Sequence, residues 1–281
     1  MRKAYVKNNQ AALYGIMLRE VFIMYIIISV SIIVSAYMIY NQMENMSLIY
    51  SCALDGIVVW CTSSMLNLGL LPVIISVFLH MHYDIYMRNV CVIKQKSRTR
   101  MWFNEQKLSL IICSVAFTWS MILSFVLAYI MNKGNIYANV SDDLFFTNTY
   151  YGIMLSQCTD IQAGQETLIP AINIVWVIIR VWLINMLQLY MVVMEADVIY
   201  WLSGKRLFST IILSAMCMIT AIFPKSRRYA YVLGIKVKAY SYYLEALNIN
   251  VWLKHIFIML VIILLTNVVM SFVVKNKDMV M

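Results

Sequence analysis

Arg180 is the one charged side chain within the apolar run Leu168–Met194, a stretch long enough to cross a lipid bilayer. An arginine near the middle of a bilayer costs about 2.5–3.5 kcal/mol on insertion scales, so it is expected to face other protein. At about 100° per helical residue, Asn173, Trp176, Arg180 and Gln188 fall within roughly 120° of one another and form a polar stripe. Two chemistries fit such a stripe. One is a translocation pathway or substrate contact. The other is a buried ion pair or hydrogen bond that locks helices together, with Asp55 a candidate partner nearer the surface. A second polar set, Thr62, Ser63, Ser64 and Asn67, suits helix-to-helix hydrogen bonding.

Other chemistries find no footing. There is no G-x-x-x-x-G-K-[ST] loop: Gly204-Lys205 lacks the upstream glycine and the following Ser or Thr, so ATP cannot be held in that way. Neither H-E-x-x-H nor G-x-S-x-G occurs. His80-Met81-His82 is followed by Asp84, but histidines two apart point about 200° apart on a helix and could not grip one metal. They read as residues at the end of an apolar segment. Cys52, Cys61, Cys91, Cys113, Cys158 and Cys217 lack C-x-x-C spacing and suggest neither zinc nor redox chemistry. Only Cys52 and Cys158 could meet as a disulfide on the outer side. The 22 methionines are dispersed rather than clustered, which suits adaptable packing better than copper binding. The expectation is a chain with no metal, no cofactor of its own and no catalytic residues.

The elements that must position these residues are apolar helices. The 281-residue chain is 63% hydrophobic and 12% charged, with eight Gly and three Pro. Soluble domains carry about 25% charged residues. Only helices or closed barrels satisfy every backbone group in lipid, and the runs are too long and unalternating for barrel strands. The fold class is therefore all-α, a polytopic membrane protein. Six spans are expected: 21–40, 56–79, 108–131, 168–194, 207–223 and 251–274.

Positive charge sets the orientation, with both termini in the cytoplasm. The net charge is +9. Arg2, Lys3, Lys7 and Arg19 precede the first span. Arg88, Lys94, Lys96, Arg98, Arg100 and Lys107 fill the loop 82–107, Lys205 and Arg206 the next inner connection, and Lys275 and Lys277 the tail. Residues 1–20 suit an interfacial helix. Residues 132–167 form an acidic outer loop, with Asp142, Asp143, Asp160 and Glu166. The segment 224–250 is a basic dissenter on the outer side; its tyrosines and lysines suit short helices lying in the interface. Asn45-Met-Ser47 and Asn139-Val-Ser141 match the glycosylation acceptor pattern in outer loops.

The stretch "CVIKQKSRTRMWFNEQKLSLIICS" couples Ser97-Arg98, Trp102-Phe103 and Lys107 just before the third span, and "FVVKNKDMVM" closes the chain. Together with the six-span layout and basic second loop, these resemble the permease subunits of type-2 ATP-binding-cassette exporters of Gram-positive bacteria. The likeness is architectural over the whole chain, and as motif it covers about 15–20 residues; the basic 224–250 segment departs from it. The resemblance implies a permease dimer, of two copies or of two related chains, in the plasma membrane. A separate ATPase would bind the ATP and dock at Arg98, Arg100, Trp102 and Phe103, its aromatic anchors filling a groove. Such permeases often export or give protection against antimicrobial or toxic peptides, and acidic loop 132–167 would attract cationic peptides. For Trp102 and Phe103, anchoring in the membrane interface is the other reading. A non-transporting membrane protein that binds a peptide for immunity or sensing is the other function. Nucleic acid is not an expected partner, because the basic loop is short and tethered to the bilayer at both ends.

Overall fold

The structure, a computed structural model, describes residues 19–34, 37, 53–57, 69–88, 97–131, 174–222, 229–232, 235–238 and 249–276. Six longer helices account for most of them: α1 (19–34), α2 (Leu71–Arg88), α3 (Arg98–Met131), α4 (Ile174–Ser203), α5 (Arg206–Ile222) and α6 (Ile249–Asn276). A short helical turn, Ala53–Asp55, precedes α2. Three of the helices, α3, α4 and α6, are long and apolar enough to cross a membrane, while α2 and α5 contain shorter apolar stretches. The chain is thus helical and membrane-like in its described parts. The expected interfacial helix 1–20 is described only from residue 19. The outer loop 132–167, Asn45, Asn139, Cys52, Cys158 and Asn173 lie outside the described residues.

Local sequence explains where these helices start and stop. Ser97 caps α3, its Oγ accepting from the Arg100 backbone N–H at 3.2 Å. Pro72 stands in the first turn of α2, where a missing N–H costs nothing. Between α4 and α5 the chain turns on Gly204, whose φ of 68° is left-handed and whose N–H returns to the Tyr200 carbonyl at 2.8 Å. The turn folds α5 back onto α4, where Ser209 Oγ donates to the Ala196 carbonyl at 2.6 Å.

Helix α4 is the hub of the bundle and packs on α2, α3, α5 and α6. Of its most apolar window 72% is buried, against 33% for α3 and 17% for α6. One face of α3 is buried along its length, through Trp102, Gln106, Ser109, Cys113, Phe117, Ser120, Ser124 and Ala128. That spacing of three and four residues is the helical repeat. At its far end the 53–57 turn comes so close that a Cβ on Gly56 would collide with the Ser124 carbonyl oxygen and with Ala128.

Indole N–H groups link the helices. Trp102 (α3) donates to Asn267 Oδ1 (α6) at 3.0 Å, Trp119 (α3) to Ser29 Oγ (α1) at 2.9 Å, and Trp182 (α4) to Thr118 Oγ1 (α3) at 2.9 Å. Trp201 (α4) donates to Glu105 Oε2 (α3) at 2.6 Å, and Trp252 (α6) to the Arg180 carbonyl (α4) at 3.0 Å. Each bond joins two different helices.

Two expectations are corrected. Part of the 224–250 segment is a hairpin, not short helices: β1 (Tyr229–Val232) pairs antiparallel with β2 (Ile235–Lys238), Val232 opposite Ile235 across a two-residue connection. The β-branched and tyrosine-rich run "YAYV…IKVK" alternates with period two, which favours a strand over a helix. The helices also outrun the expected spans. Helix α2 continues to Arg88 rather than Leu79, α3 starts at Arg98 rather than Leu108, and α4 ends at Ser203 rather than Met194.

Candidate functional site

The helical extensions beyond the expected spans, together with Ser109 at the start of one span, carry a buried polar cluster. His80 of α2, Glu105, Gln106 and Ser109 of α3, and Asp197 of α4 are each at most 5% exposed. They converge because the start of α3 lies against the end of α4, where Trp102 and Trp201 meet edge to face at 6.0 Å.

Asp197 is the centre. Its Oδ1 accepts from His80 Nε2 at 3.2 Å, and its Oδ2 from Gln106 Nε2 at 3.1 Å and Ser109 Oγ at 2.9 Å. These bonds propagate outward. Because Ser109 gives its proton to Asp197, Tyr83 OH donates to Ser109 Oγ, at 2.8 Å. Gln106 Oε1 accepts from Tyr190 OH at 3.0 Å, which fixes the orientation of the amide. His80 stacks on Tyr200, ring centroids 4.6 Å apart and 15° from parallel. His80 Nδ1 has no hydrogen-bond partner among the described residues.

The second buried acid of the cluster has a poorer environment. Glu105 Oε2 accepts the short bond from Trp201, while Oε1 has no partner among the described residues. Glu105 stands in the charged first turns of α3, ahead of the apolar run that begins at Leu108. Glu195, on α4 two residues before Asp197, is also buried at 3%.

Serine, histidine and aspartate here do not form a nucleophile-activating relay. Such a relay passes a hydroxyl proton to an imidazole that a carboxylate orients. In this cluster hydroxyl and imidazole both donate to the same carboxyl group. No group of three or more His, Cys, Asp or Glu suited to a metal occurs among the described residues. The arrangement can hold acidic groups, and a proton, in the packed interior of the bundle.

The residues singled out from the sequence are scattered. Arg98, Arg100 and Phe103 are exposed at the start of α3, and Phe103 is 41% exposed. Trp102 is fully buried: it lies on the inward face of α3, bonded to Asn267. In the polar stripe of α4, Trp176 is 58% exposed, Arg180 half-buried and Gln188 1% exposed. Those three do not share an environment. His80, read as a residue at a segment's end, is a core residue.

Sequence reasoning passed over Glu105, Glu195 and Asp197. The signal was present in "LYMVVMEADVIYWLS", where two acids interrupt an apolar run that resumes after them. An acid flanked by apolar residues on both sides of a helix marks a buried partner as readily as a span's end. No protein family, curated protein or solved structure matches the chain.

Proposed function

We propose that the chain is a permease subunit of an exporter driven by a separate ATPase, crossing the plasma membrane several times with both termini in the cytoplasm. The observation that supports this most is the gathering of positive charge at one end of the bundle. Arg98, Arg100 and Lys107 open α3, Lys205 and Arg206 lie in the α4–α5 connection, and Lys275 closes α6. The Trp102–Trp201 and Trp102–Asn267 contacts bring those three helix ends together. By the positive-inside rule this end faces the cytoplasm. A motor subunit docking there would meet Arg98, Arg100 and Phe103. Beneath them, Trp102 would transmit the push to α4 and α6. A peptide is the proposed cargo and a second permease, identical or related, the proposed partner.

The test is ATP hydrolysis that co-purifies with the tagged chain from its host's membranes. Arg98→Ala with Phe103→Ala should abolish that activity while the chain remains folded. A preparation that binds cationic peptide but carries no ATPase would sink the permease reading in favour of an immunity or sensor protein.

A further inference from the structure

Among the described residues, no cation is bonded to Glu105. Its side chain is 5% exposed and Oε1 meets no donor among the described residues. The ionisable groups around it are mostly acidic or neutral. Helix α4 brings Asp197 and Tyr200 to this region, and α2 brings His80 and Tyr83. The imidazole of His80 is committed to Asp197, which already accepts from three donors. Neutral groups complete the surroundings: Asn267 of α6 serves Trp102, and Ser209 of α5 bonds the Ala196 carbonyl. A carboxylate with a single donor in a packed core is costly, and neutralisation by a proton is the ordinary way out. The basic side chains on α3 itself, Arg98, Arg100 and Lys107, are exposed and lie off the buried face.

We propose that Glu105 is a proton-binding site, holding a proton while α3 is packed against α4 and releasing it to water when the basic end of the bundle opens. No other atom is exchanged: the O–H bond of the carboxyl breaks, the proton leaves to water and a carboxylate remains. The Trp201 N–H serves both forms, and it stays with Glu105 only while α3 and α4 remain together. Proton occupancy and the closure of this seam are then one equilibrium, and whatever parts the helices changes the bound proton count. This inference does not depend on the permease reading; it concerns how the bundle closes, with or without a motor.

The sign is fixed by linkage. An acid that keeps its proton when folded and loses it when unfolded stabilises fully below its unfolded value of about 4.3. Above that the contribution falls as pH rises, by up to about tenfold in the folding constant per pH unit, until the folded group itself ionises.

The test takes the full chain in lipid nanodiscs and titrates it from pH 5 to 9, reading the infrared carbonyl stretch of protonated carboxylic acid together with thermal unfolding. The wild type should keep a protonated-acid band above the ordinary range of carboxylates and lose it at alkaline pH, with unfolding shifting to lower temperature over the same interval. Glu105→Gln should remove the band and flatten that part of the unfolding profile. Glu105→Asp, which keeps an acid at the site, should keep a band but move its pH interval, so a failure of Glu105→Gln to fold leaves the test intact. Absence of any such band in the wild type, or its survival unchanged in Glu105→Gln, overturns the proposal.

Discussion

The two ends of helix α3 are held by opposite means. At the basic end, long polar and aromatic side chains bridge the helices: Gln106 and Ser109 to Asp197, Glu105 to Trp201, Trp102 to Asn267. At the other end the contact is made by smallness. Gly56 lies against the backbone of Ser124, with Ala128 beside it. A close backbone approach is nearly rigid, since any added atom must displace a carbonyl. A hydrogen-bonded seam can exchange partners and take up water. The comparison teaches that one helix can be held by close backbone packing at one end and by a hydrogen-bonded seam at the other.

Four substitutions break or sharpen that contrast, in falling order of expected effect. Asp197→Ala strips the acceptor from His80, Gln106 and Ser109 at once; breaking a buried charged centre in this way costs about 3–5 kcal/mol. Equilibrium unfolding in mixed micelles should show a loss of that size, and a loss below that of Gly56→Val would contradict the central role given to Asp197. Gly56→Val forces a branched side chain into the Ser124 carbonyl and should cost about 1–3 kcal/mol by overpacking. Its diagnostic is rigidity: amide exchange should rise around 53–57 and 120–128 and stay unchanged near Asp197. Trp102→Phe shrinks the buried indole to a phenyl and removes the N–H to Asn267. The hydrogen-bond share is about 0.6–1.7 kcal/mol, the range for hydrogen bonds between membrane helices, and the vacated space adds to it. A double-mutant cycle with Asn267→Ala measures that coupling directly. Leu264→Ala, on the outward face of α6 where the residue is 61% exposed, should change stability by less than about 0.5 kcal/mol. A larger loss would mean that this face is covered by protein.

The reach of the sequence can be followed through single residues. Long apolar runs overlap each of the six longer described helices, since a backbone in lipid has few alternatives to a helix. Helix ends were not legible, since Lys107 and Glu195 look like the edge of a span whereas the buried repeat Trp102, Gln106, Ser109, Cys113 runs straight through the charged turns. Arg180 drew attention as the lone charge in its run, yet the densest polar packing is at Asp197, whose three donors come from residues 80, 106 and 109. Proximity across such separations is a property of helix packing and leaves no local trace. Trp102 and Phe103 are adjacent and chemically alike; helical rotation alone puts one in the core and leaves the other exposed.

The order of those residues along the chain has a consequence for biogenesis. His80, Gln106 and Ser109 are all synthesised before Asp197, and the turn at Gly204 is too short for α4 and α5 to be delivered separately. The acid therefore arrives on a helical hairpin at a half-built bundle whose donors are already waiting. A helix α4 made without its predecessors would meet no such donors and should be a poor guest for the insertion machinery.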